Sequence, residues 1–399
     1  MKTIYEKTAY LLETKEQIKH AIEEKGVVVS DSDSFRSYAD KIRNIYPDPS
    51  YLHTTIFIDQ TISDPKTMVS LIYDNGGIDF IRKNSHRYLC KKVADVLEAK
   101  PLNDSDTTCF EDGTAANLSG VDGDVMMKLP RFFYKAWSEE KDKWYVDFAI
   151  GNQPSPDYKL WEGDEFIGVY EGCIINNILY SVSDVVATTP LSHAQARQYA
   201  RNKGEGYSCV TWRMHSIMAF LFLMQYRNTD SQSICGTTCV NIDALLGDSN
   251  LLGMQDTIAN TEDVTLETFS VNFWGLERWW GGHYEWIDNA VTNEDLTWKI
   301  DEGDEIRYLN VCQDIGNSDK MMIGEHLDAA PISAMGTTST GYCDRYYFSD
   351  LLTTKIARSG MSRSANTGIF YIAGRRDDEE LNNNECVARL AYKGKYKII

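Results

Sequence analysis

The chain has 399 residues, 43% hydrophobic and 12% aromatic, with a formal net charge of -19. That length supports two or three domains with their own cores, and the composition is that of a folded protein. The acid excess argues against nucleic acid as a partner, because little here would neutralise a phosphate backbone.

No run approaches the ~20 apolar residues of a membrane-spanning helix, so no membrane partner is expected. The start, "MKTIYEKTAYLLETKEQ", places charges where a signal peptide needs its apolar core. Nine cysteines without paired spacing predict reduced thiols made in a cytoplasm. Cys235 and Cys239 in "CGTTC" have no second pair and no nearby histidine, which speaks against a zinc site.

Residues 1–46 read as a helical attachment module. Leu11, Ile18, Ala21 and Ile22 recur at helical spacing before Gly26, and "DSDSFRSYADKIRNI" restarts with an Asp/Ser cap and Phe35, Tyr38, Ile42 and Ile45. "YPDPS" then breaks the helix. Residues 47–124 read as a β-containing linking region: "TTIFIDQTI" alternates like a strand, and "NDSDTTCFEDGTAANLSGVDGD" is turn-dense. Its aspartates do not follow calcium-loop spacing, so the stretch reads as solvated turns.

From residue 125 strands dominate at first. "VMMKLPRFFYKAW" and "KWYVDFAIG" flank a polar "SEEKD", as in a β-hairpin. "FIGVYEGCIINNILYSVS" continues with two strands about a tight Asn176–Asn177 turn. "SHAQARQYARNKGEGY" predicts a helix capped by Ser192, with Ala196, Tyr199 and Ala200 inward and Gly204 as its stop. "TWRMHSIMAFLFLMQYRN" predicts a second, largely buried helix. The rest, to 399, is loop-rich with short aromatic segments. Two helices with many short strands give an α+β class.

Near the C-terminus, "RSGMSRSANTGIFYIAGRRDDEELNNNECVARL" sets a very polar run between two strand-like pieces. Arginine offers forked donors, Asp and Glu accept, and Asn does both. The run reads as a contact surface or as a solvated loop whose charges pair locally for ~0–1 kcal/mol each. No G-x-S-x-G, P-loop or H-E-x-x-H motif is present. His283 and Glu285 in "GGHYEWID" share a strand face, as an acid/base pair would. No nucleophile accompanies them, and packing explains the surrounding Trp279, Trp280, Tyr284 and Trp286. His86 and His215 read as structural.

Several segments in order carry a resemblance. "LSHAQARQYARNKGEGYSCVTWRMHSIMAFL", "FWGLERWWGGHYEWIDNAV" and "NNECVARLAY" resemble the C-type lectin fold in its formylglycine-generating-enzyme-like form. Trp286, Asp288 and Arg389 match that pattern. Arg213–Met214 stand where an acidic residue is usual, and Gly282–His283 where Gly-Asn is common. "ETKEQIKHAIEEKGVVV…FRSYADKIRNI", "IRKNSHRYL", "GDVMMKLPRFFYKAW" and "ARSGMSRSANTGIFYIAG…CVARLAY" further resemble phage tail proteins with this fold, including variable proteins diversified by retroelements.

That resemblance implies a virion tail protein that is not an enzyme, with residues 125–399 as a lectin-like ligand-binding domain. Its helical module would join other tail proteins or form a homotrimer. The contact residues it implies are Ser362, Arg363, Asn366, Tyr371, Arg375, Arg376, Asp377, Asp378, Glu379, Asn382, Asn383 and Asn384, facing a bacterial surface receptor. Few aromatics stand among them and Met361 lies near an expected Trp, so a polar or protein epitope fits better than a stacked sugar. No cofactor is implied beyond calcium, for which no ligand set can be read. A formylglycine-type enzyme and a bacterial surface adhesin are the alternatives. Cys343 and Cys386 do not reproduce the enzyme's cysteine motif, and an adhesin lacks its export signal here.

Overall fold

In a computed structural model, which describes residues 4–23, 29, 34, 38, 51–238, 244–260, 269–348, 355–358, 367–375 and 386–399, the alternating segment after the linker becomes strand β1 (Tyr51–Asp59). It pairs with β2 (Val69–Asp74) on one side and β7 (Lys143–Gly151) on the other. β6 (Phe132–Glu140) and β8 (Lys159–Trp161) complete a five-stranded antiparallel sheet in the order β2-β1-β7-β6-β8. The period of two sends Ile56, Ile58, Phe132, Val146 and Phe148 to the core face, where all are buried.

A seven-stranded sheet packs beside it. It contains β3 (His86–Val93), β4 (Val96–Pro101), β5 (Asp124–Lys128), β9 (Glu165–Gly168), β10 (Tyr207–Cys209), β19 (Leu390–Lys393) and β20 (Tyr396–Ile398). Both sheets join strands from either side of residue 124, with β1 on β7 and β5 on β3.

The third sheet has eight strands: β11 (Tyr284–Thr292), β12 (Trp298–Asp301), β13 (Ile306–Leu309), β14 (Gly316–Asn317), β15 (Arg345–Tyr347), β16 (Lys355–Arg358), β17 (Ile372–Arg375) and β18 (Cys386–Val387). A separate hairpin, Cys173–Ile175 with Ile178–Tyr180, turns at Asn176 and Asn177. Both asparagines have positive φ, 53° and 62°, as the twist of a two-residue hairpin requires.

Helix α1 spans Ile4–Glu23, and the short α2 spans Gly77–Lys83. α3 (His193–Arg201) begins at a full capping box: the Ser192 side chain accepts from Gln195 N–H, and the Gln195 side chain accepts from Ser192 N–H. α4 (Trp212–Tyr226) is buried from Met214 to Met224, so its sequence is apolar all round. α5 (Ser231–Cys235) follows.

The α+β class, with its N-terminal helical module and two-helix lectin-like domain, is corrected by this architecture. The chain is mostly β, 40% strand against 16% helix, with a sheet curled into a half-barrel. The two expected helices do form. The remaining segments looked irregular because their partners are remote in sequence, as where Glu285 lies opposite Arg358. Such pairing leaves little local periodicity to read. Of the segment expected to form the module's second helix, Ser34 and Tyr38 are described, Tyr38 being buried with Val29 against Ile18.

Candidate functional site

Ser362, Arg363, Asn366, Arg376, Asp377, Asp378, Glu379, Asn382, Asn383 and Asn384 lie outside the described residues, and Arg375 is described only as the last residue of β17. Tyr371 departs from expectation. It is 4% exposed, and its hydroxyl lies 3.2 Å from that of Tyr284. The ring belongs to the core because the turn before β17 tucks Ile369 and Phe370 inward with it.

What the structure describes well is the frame that roots these segments. β11 pairs with β16 through Glu285–Arg358 and with β18 through Tyr284–Cys386. In the β16–β17 pair, Arg358 lies opposite Ile372. Arg375 lies opposite Lys355, and Cys386 opposite Tyr284. Glu285 sits at the junction, fully buried.

Two guanidiniums clamp that carboxylate. Arg389 donates from Nη2 at 2.7 Å and from Nε at 2.9 Å, and Arg358 donates through Nη2. Arg389 also donates to the carbonyls of Gly168, Val169 and Glu277. Arg358 lies 3.4 Å from the Trp279 ring centroid and donates to the Trp279 carbonyl. Two buried cations around one anion are tolerated because the backbone carbonyls share the load.

A second buried pair adjoins the first. His283 does not face Glu285. Its Nδ1 lies 3.1 Å from Glu171, which also accepts the His283 N–H at 2.8 Å, and Arg278 stands 3.5 Å away. Burial works against ionisation at both ends, yet His283 and Arg278 hold the Glu171 carboxyl well below its ordinary range, and Glu171 holds the imidazole above its own. The acid/base reading of His283 with Glu285 is thereby replaced by two structural ion clusters.

The entry to β17 is fixed by Asp344. It is buried and accepts the Phe370 N–H at 2.9 Å and the Gln232 Nε2 at 2.8 Å. Burial pushes its carboxyl up to about 8, with Asp230 adding to the rise and these hydrogen bonds opposing it. A Cβ on Gly368 would run into the Ser231 hydroxyl and this carboxylate.

A polar groove is lined in part by Asp288, Asn289 and Val291 of β11. Its two lobes, about 490 and 300 Å³, share Arg213, Glu302 and Lys393. Arg197 pairs with Asp288 at 2.9 Å and Lys393 with Glu165 at 3.0 Å, while Arg213 stands 3.6 Å from Glu165 and donates to the Leu160 carbonyl. With its charges paired among themselves, the groove suits a hydroxyl-rich or zwitterionic group over a strong anion. Asp288 is structural here, since its second oxygen accepts the Cys209 N–H.

Cys343 and Cys386 are both buried. Burial pushes Cys343 up to about 12, the reverse of an activated thiolate. His215 lies buried in α4, where burial holds its imidazole neutral. Among the described residues no group of three or more His, Cys, Asp or Glu is arranged to hold a metal. Sequence reasoning missed Arg358 and Glu171, because nothing local marks residues whose partners lie 73 and 112 positions away. Compared with known proteins, the chain matches no family model and no curated protein.

Proposed function

We propose that this is a host-attachment protein of a phage tail, whose segments 359–366 and 376–385 together form the surface that binds a bacterial cell-surface ligand. The observation that carries the reading is that the described residues on either side of these segments, Arg358, Ile372, Arg375 and Cys386, all belong to strands of one sheet that contains the buried Glu285. Polar loops held on a rigid scaffold are the usual place for recognition. The resemblance of the flanking sequence to diversified tail proteins adds support, and retroelement diversification of the region is part of the proposal. α1, which exposes Tyr10, Leu11 and Leu12 at 60% or more, is the element we assign to docking on other tail proteins or to trimer formation.

The test is adsorption of the full chain to bacterial strains. Replacing Arg375, Arg376 and Asn382–Asn384 by Ala is expected to abolish adsorption while leaving the circular dichroism spectrum and melting temperature unchanged. Unchanged adsorption by a folded variant would overturn the assignment of this surface.

A further inference from the structure

The polar groove along β11 is assembled from elements remote in sequence, and local geometry gathers charge in it. Arg197 and Arg201 stand four apart on α3 and share a face. Lys299 and Asp301 stand two apart on β12, and Lys393 of β19 lies directly opposite Glu165 of β9. Arg213 comes from the first turn of α4, and Glu302 from the turn between β12 and β13. The two lobes, about 490 and 300 Å³, have the ~300–1,000 Å³ size of small-molecule sites.

Four ion pairs along this groove stand apart. The closest approach is 3.8 Å for Arg201 and Asp288, and 3.6 Å for both Arg213 with Glu165 and Lys299 with Asp301. Arg307 and Glu302 are 3.4 Å apart. Each separation exceeds the ~2.7–3.2 Å of a well-formed N–H···O bond. The buried clamp elsewhere does close, with Arg389 at 2.7 Å from Glu285. The four groove pairs thus offset each other's charge while their donors and acceptors keep hydrogen-bonding capacity.

A hydroxyl fits such a gap, because it donates to the carboxylate and accepts from the cation at once. A zwitterion carries one cation and one anion and serves a single pair, whereas four recur here. A strong anion would have to take a cation from its carboxylate. We propose that the groove binds a neutral saccharide, successive hydroxyls bridging these pairs, with Arg213 and Glu302, shared by both lobes, as the central contacts. Burial raises the Glu302 carboxyl although Arg307 and Arg213 oppose the rise, and a hydroxyl donating to it would offset part of that cost. The groove lies outside segments 359–366 and 376–385, so the inference does not rest on the attachment reading.

Isothermal titration calorimetry of the full chain with maltotriose, mannotriose and triacetylchitotriose tests it. At least one is expected to bind with a Kd of about 1 mM or tighter. Its affinity should hold between about 50 and about 500 mM NaCl, because the ligand carries no charge to screen. Arg201→Ala, at a side chain 55% exposed, and Glu302→Ala should each weaken that binding about tenfold with an unchanged melting temperature. Should Glu302→Ala fail to fold, Arg201→Ala decides alone. No binding by any of the three would overturn the proposal, as would binding of trigalacturonate or glycine in their place. Saccharide affinity indifferent to the folded variants would overturn it equally.

Discussion

Glu285 carries its charge at zero exposure between Arg358 and Arg389, each itself 1% exposed or less. A carboxylate in that position contributes through what its removal leaves behind. Glu285→Ala would strand two desolvated guanidiniums, a change that costs roughly 3–5 kcal/mol when one partner of a buried ion cluster is lost. Chemical denaturation of that variant is expected to show a loss of this size, and a loss below about 1 kcal/mol would show that the clamp is not what fixes β16 and β18. Glu171 and His283 work by the same logic with opposite signs. The depressed carboxyl stabilises the fold above its unfolded value and is lost on acidification, while the raised imidazole stabilises below its unfolded value and is lost as pH rises through its folded one.

At the level of elements, the turn into β17 depends on one buried acid. Asp344 is raised from an ordinary carboxyl value to about 8 by burial, so the folded chain holds this proton more tightly than the unfolded one. Its contribution is full below pH ~4 and is lost progressively as pH rises toward 8. The slope is up to about 1.4 kcal/mol per pH unit for one proton. Native stability measured from pH 5 to 8 should therefore fall relative to Asp344→Asn, and parallel pH profiles for the two chains would refute this. Helix α3 shows the reverse case, an element legible in advance. Ser192 caps it and Ala196 and Ala200 are buried as expected, while Tyr199, also expected inward, is only partly buried.

Across the whole molecule, the sheets tie the chain together regardless of sequence order. β1 pairs along its whole length with β7, and β3 and β4 separate β5 from β20. A fragment of residues 125–399 would expose the edges of both sheets and lose the buried Ile56 and Ile58. It is expected to aggregate or to lack a cooperative melt, and a well-folded fragment would show that the two portions are independent.

The sequence by itself determined what depends on neighbours a few residues away: the Ser192 cap of α3, the buried α4, the Phe132–Gly151 hairpin and the Asn176–Asn177 turn. It also marked the polar C-terminal run as unusual. Only the tertiary structure decided that the molecule is mostly β, that Tyr371 is core, that His283 answers to Glu171, and that Glu285 is shared by Arg358 and Arg389. The reason is physical. Hydrogen-bonded turns and amphipathic helices are local, whereas sheet register and buried ion clusters join residues about a hundred positions apart, and no spacing in the chain announces them.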